Sequence, residues 1–177
     1  MVQPRCCRHA LRRGGRVFFT DISEEAGRAA RADMEADTGA SVGFCVQVRL
    51  VQSDIVTPPL LQDVRSEAGW EEVWTHAEAF FGGRVEALIN NAGLYGAKDS
   101  LDTDILAVNL TGLALGSRLA LARMSVDAGG CGGAVVQLGS VASLVATSAS
   151  PLYAASKAGV LGMVRSHGLA THSRCPV

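Results

Sequence analysis

The sequence predicts an α/β fold in which a parallel sheet is connected by crossover helices. Short apolar runs alternate along the chain with longer segments whose apolar residues recur at helical spacing. Hydrophobic residues make up 48% and charged residues 19% of the 177 positions, which marks a globular chain and excludes a disordered one. No internal repeat or low-complexity segment breaks the alternation, and the length suits one domain spanning 1–177.

Taken in order, residues 9–13 read as the end of a helix, and 16–21 (Val17, Phe18, Phe19) as a buried strand ending in the acid Asp21. Residues 23–37 follow as a helix, with Ser23 able to cap it and Glu24 and Glu25 in its first turn. A second strand covers 41–47 (Val42, Phe44, Val46). Residues 67–81 form a helix with Trp70, Val73, Trp74, Ala77 and Phe81 on its inner face, and a third strand, 85–89, runs into Asn90-Asn91-Ala92-Gly93. A long helix over 103–126 carries Asn109 in its interior. The glycine-rich loop 129–133 feeds a strand over 134–138, a serine-rich loop comes next, and a helix from Leu152 to Ser166 closes the pattern. The stretch 48–62, with Pro58-Pro59, fits no element and reads as an insertion.

Sixteen basic against seventeen acidic residues leave no field to recruit nucleic acid or an anionic membrane. The arginines at 5, 8, 12, 13 and 16 resemble an import presequence in charge, yet the serine richness of one is absent. The uncharged stretch 128–156 is interrupted by glycines and Pro151, so it does not read as a membrane span. Five cysteines without a C-x-x-C pair argue for reduced thiols, a cytoplasmic setting and no metal site.

Chemistry enters at Tyr153 and Lys157. They lie four apart behind a proline that can open a helix, so phenol and ammonium share one helical face. A free tyrosine, with a pKa near ~10, is too weakly acidic for base catalysis at neutral pH. A fixed cation beside it favours the phenolate. With two tyrosines and two lysines in the chain, this spacing is roughly a 2% accident.

With Asn90-Asn91-Ala92-Gly93, Asn109, Ser140 and the Tyr153–Lys157 pair in that order, the chain resembles the short-chain dehydrogenase/reductase family from about Ala10 to Ser166. The residues 129–133, Tyr153 to Lys157 and 162–166 look most like its NAD-dependent branch acting on hydroxy fatty acids or prostaglandins. The resemblance implies a Rossmann-like doubly wound parallel sheet and hydride transfer between a secondary alcohol or ketone and NAD. Tyr153 would be the general acid/base, Lys157 its electrostatic support and a bond to the nicotinamide ribose, Ser140 the orienter of the substrate oxygen, and Asn109 the holder of a relay water. Asp21 and Ile22 would meet the adenosine ribose, where a carboxylate favours NAD over its 2′-phosphorylated form. Asp63 and Val64 would frame the adenine, and Asn91, Ala92 and Gly93 would pass under that ribose.

The family's first strand and its glycine-rich turn have no counterpart here, and 167–177 reads as a divergent tail with nothing for the last strands. The expected sheet is therefore incomplete. A second reading follows: a truncated, inactive isoform that forms a homodimer, or a mixed dimer with a full-length relative, through the helices 103–126 and 152–166.

Overall fold

The computed structural model describes residues 5–45, 62–96, 102–145 and 150–172. The expected insertion 48–62 lies outside them except for Gln62. The chain divides into two compact units, Met1–Arg84 and Val85–Val177.

In the first unit, α1 (Arg5–Arg12) leads to β1 (Val17–Thr20), α2 (Glu24–Thr38), β2 (Val42–Cys45) and α3 (Glu67–Phe81). β1 and β2 pair in parallel, with Val17 opposite Val42. Val17 and Phe19 join Leu11, Met34 and Val42 in a core under α1 and α2, while Phe18 packs against Val73 of α3. The alternation of a strand's side chains thus feeds two helix layers, one on each face of the pair. Two of the N-terminal arginines are spent on α2: Arg8 binds Asp33, and Arg12 holds Asp37 at 2.8 Å.

Both long helices of this unit are capped by serines, Ser23 as expected and Ser66 in addition. Ser23 Oγ accepts from the Ala26 N–H at 3.2 Å, and Ser66 Oγ from the Gly69 N–H at 3.0 Å. Gly39 and Gly82 end them in the left-handed conformation, at φ 67° and 80°. Trp70, Val73, Trp74 and Ala77 are buried on α3, whereas Phe81 is only half-buried. Burial pushes the Cys7 thiol up to about 12, which leaves it inert as a nucleophile at neutral pH.

The second unit holds β3 (Ala87–Asn90), α4 (Asp104–Met124), β4 (Ala134–Gln137) and α5 (Pro151–His172). β3 and β4 pair in parallel, Ile89 opposite Val136. α4 covers the face bearing Asn90 and Gln137, and Ile89, Val136 and Leu138 are exposed on the other. Within α4 the segment Ala107–Gly112 is π-helical, a local widening that the sequence did not announce.

α4 is long and apolar enough, by length and composition, to cross a membrane. Its fully buried Asn109 and Ser117 are nevertheless hydrogen-bonded to the surrounding unit, as befits a core helix. The last helix corrects an expectation: it does not stop at Ser166 but continues through Gly168 to His172. A single glycine weakens a helix by about 1 kcal/mol and does not break one.

Candidate active site

Each unit brings together part of the residue set singled out from the sequence. In the first, Asp21 directly follows β1, and its Oδ1 accepts from the Ser23 N–H at 2.9 Å. The chain re-enters beside it at Gln62, whose N–H donates to the Asp21 carbonyl at 3.2 Å, while the Thr20 hydroxyl donates to Gln62 Oε1 at 2.5 Å. These bonds set Asp63 and Val64 close to Asp21 and Ile22. Ile22 is exposed.

Asp63 is gripped by Arg65, whose Nε and second terminal nitrogen reach its oxygens at 2.9 and 2.7 Å. Hydrogen bonding from Arg65 holds the Asp63 carboxyl below its ordinary value, so it stays an acceptor. Gln62 was not singled out as a site residue. It is buried, and its Nε2 has no partner among the described residues, a rare state for an amide. No short-range signal in the sequence marks that.

In the second unit the loop Asn91–Gly96 leaves β3 and is pinned from α4. Asn109 Oδ1 accepts from the Leu94 N–H at 2.6 Å, and its Nδ2 donates to the Leu94 carbonyl at 2.8 Å and to Ser156 Oγ at 3.2 Å. Asn109 is fully buried, and its side chain holds the loop onto both helices. Asn90 does the same one layer down. Its Nδ2 donates to the Leu113 carbonyl, Ser117 Oγ and Gln137 Oε1, locking the strand pair to α4.

Ser140 lies just past β4 and caps the short 3₁₀ turn Val141–Ser143. Its Oγ accepts from the Ala142 N–H at 3.2 Å, and a serine that accepts keeps its O–H to donate. Ser143 Oγ donates to the Lys157 carbonyl at 2.9 Å, which ties the turn to α5.

Tyr153 and Lys157 sit on α5 as the spacing requires. Lys157 is buried, and Nζ donates to the Leu138 carbonyl at 2.7 Å and lies 5.9 Å from the centre of the Tyr153 ring. Burial alone lowers the ammonium's pKa, because desolvation disfavours the charged form. A β-carbon placed on Gly93 would lie 3.7 Å from Lys157 Nζ and 3.4 Å from Asn109 Oδ1. The loop backbone, the buried cation and the phenol thus share one corner of this unit. A phenol beside a held cation, at the carboxyl ends of parallel strands, can pass a proton to or from an oxygen.

The comparisons with known proteins point the same way. A family model described as short chain dehydrogenase matches residues 4–174. The chain is 32% identical over 163 residues to the 15-hydroxyprostaglandin dehydrogenase of Homo sapiens designated NAD(+), which covers 92% of this chain and 54% of that protein. It is 31% identical to the NADP-dependent (R)-specific alcohol dehydrogenase of Lentilactobacillus kefiri over 144 residues, 78% of this chain and 52% of that one. A solved short chain dehydrogenase from Mycobacterium smegmatis matches it with a TM-score of 0.75 at 28% identity, covering 93% of this chain and 63% of that one. The chain spans about half the length of the curated relatives it matches.

Proposed function

Because the chain belongs to the short-chain dehydrogenase family, we propose that it is an NAD-dependent oxidoreductase acting between a secondary alcohol and its ketone. The observation that carries this reading is the buried Lys157 ammonium, fixed on the Leu138 carbonyl 5.9 Å from the Tyr153 ring. Hydroxy fatty acids and prostaglandins are the substrates that likeness to the human relative favours.

Each unit by itself offers groups that suit part of a dinucleotide. Gln62 holds a buried amide without a partner among the described residues, bonded through its backbone to Asp21, and the glycine at 93 keeps the exposed loop backbone bare within van der Waals reach of Asn109 and Lys157. In 1–84, Asp21 would accept from the adenosine ribose hydroxyls and repel a 2′-phosphate, which favours NAD; Ile22, Asp63 and Val64 would flank the base. In 85–177, Asn91, Ala92 and Gly93 would run along the ribose, and Lys157 would donate to the nicotinamide ribose. The nicotinamide, when bound, supplies the hydride acceptor.

The chain's own groups handle the proton. In the oxidation direction the Tyr153 phenolate takes the alcohol proton while the C–H bond is broken; in reduction the phenol returns it to the ketone oxygen. Lys157, held on the Leu138 carbonyl, places a positive charge 5.9 Å from the Tyr153 ring. Ser140 donates its hydroxyl to the substrate oxygen and orients it. Asn109 is a positioning residue that holds the loop through Leu94. The free thiols of Cys6, Cys7 and Cys131 suit a reducing, cytoplasmic setting.

A titration of the purified chain with NADH, followed by cofactor fluorescence and thermal stability together, tests this. Saturable binding with stabilisation is expected, and weaker binding of NADPH that recovers in Asp21→Ser. No binding by a folded chain would end the enzymatic reading.

A second reading is favoured by one observation. Ala155, Ala158 and Gly162 are exposed along α5 at helical spacing, and no atom lies within 4 Å of a β-carbon built on Gly162. Close packing of a second helix there would give a homodimer, or a mixed dimer with a full-length relative. Co-expression of the two with separate elution would count against it.

A further inference from the structure

Tyr95 is 70% exposed, yet its ring lies 4.8 Å centre to centre from that of Tyr153, tilted by 60°. That separation and tilt lie within the favourable range for aromatic pairs. The contact is not a matter of a loose side chain falling on a surface, because the backbone is fixed on both sides of Tyr95. Leu94 is held by Asn109 through its N–H and its carbonyl. Gly96 is buried so tightly that an added β-carbon would collide with Ile105 and stand 3.0 Å from the Ser150 β-carbon.

Two neighbouring segments expose large apolar side chains. Leu94 is 42% exposed beside Tyr95, and Val141 and Leu144, next to Ser140, are 67% and 73% exposed. The turn carrying those two is tied to α5 by the bond from Ser143 to the Lys157 carbonyl. Large apolar side chains exposed on the loop of Tyr95 and on a turn tied to the helix of Tyr153 mark a binding surface more readily than scattered ones do.

We infer that Tyr95 is a positioning and specificity residue for the reaction at Tyr153. Its ring walls one side of the phenol and stacks on a flat apolar group of the substrate. The preferred substrates are then secondary alcohols or ketones carrying an aryl or alkenyl group beside the reacting carbon. This rests on the oxidoreductase reading, and it adds a contact that the Tyr153–Lys157 pair does not require.

The chain has two tyrosines, Tyr95 and Tyr153, so 3-fluorotyrosine labelling yields one fluorine resonance for each. The Tyr153 resonance is followed while 1-phenylethanol or 2-butanol is titrated with NADH present, a combination that cannot turn over. The preference for the aryl alcohol should be retained in Tyr95→Phe and fall roughly five-fold in Tyr95→Ala, the worth of one aromatic pair. Tyr95→Leu serves if the alanine variant does not fold. An unchanged aryl preference in the non-aromatic variant overturns the assignment, as does a folded wild-type chain that binds neither alcohol.

Formation of NADH from NAD and each alcohol is measured on the same protein preparations without added NADH. The expected aryl preference without any turnover would sink the oxidoreductase reading and leave Tyr95 as a stacking residue. Turnover with equal selectivity in Tyr95→Ala would do the reverse.

Discussion

Asn109 closes a ring on Leu94, accepting from its N–H at 2.6 Å and donating to its carbonyl at 2.8 Å. Replacing it with alanine takes the partner from both Leu94 backbone groups and leaves the Ser156 hydroxyl only its bond to the Tyr153 carbonyl. Asn109→Ala should cost roughly 2–3 kcal/mol, from the penalty on unpaired buried polar groups. Denaturant unfolding measures that, and amide exchange at Leu94 gives the local test. If Leu94 exchanges no faster in the variant, the side chain is not what holds the loop.

Tyr153→Phe keeps the ring against Tyr95 and removes only the hydroxyl. Turnover should fall by about 100-fold or more, the usual worth of a positioned acid/base, with the melting temperature nearly unchanged. Lys157→Met should also suppress turnover, although Tyr153 is intact. An active phenylalanine variant would take Tyr153 out of the mechanism.

Lys157 gives a pH dependence whose sign is fixed. Burial lowers its pKa in the folded chain from an ordinary value of 10.5. Between the lowered value and the ordinary one the unfolded chain binds more protons, so stability rises with pH across that window. Below the window the cost of burying the charge is present in full. Unfolding midpoints measured by circular dichroism between neutral pH and about pH 10 should show the rise in wild type and a flatter profile in Lys157→Met. Parallel profiles would mean that other groups cause it.

Glycines 130 and 162 should respond in opposite directions to alanine. A β-carbon on Gly130 would meet the backbone carbonyls of Met124 and Arg123 at 2.5 and 2.6 Å, where nothing can yield cheaply. Gly130→Ala should destabilise by about 1–3 kcal/mol, the range for overpacking. Gly162 stands in α5 with open space, so Gly162→Ala should stabilise by roughly 0.5–1 kcal/mol through helix propensity alone. A loss of stability in Gly162→Ala would instead show that this face is occupied.

What the sequence made legible was local. Ser23 caps its helix as expected because a cap acts within one turn of chain. The Tyr153–Lys157 face was legible for the same reason. The clamps were not: Asn109 reaches Leu94 across 15 positions and Ser156 across 47, and Asn90 reaches Gln137 across 47. Nothing local distinguishes Asn109 from an asparagine bonded to its own helix, or Asn90 from one facing solvent at a strand end. Gln62 and Tyr95 escaped likewise, since a buried orphan amide and a ring contact exist only once distant segments meet. The continuation of α5 past Ser166 was hidden because the helical spacing of apolar residues fades there.

The π-helical segment Ala107–Gly112 works as a phase adjuster. An ideal α-helix turns by about 100° per residue, so the directions of any two side chains are fixed by their separation alone. The wider turn relaxes that rule between Asn109, which faces the loop and α5, and Ser117, which faces the strands. Deleting one residue here would restore a regular helix and swing one clamp away from its target. The loop or the strand pair could then be held, and not both.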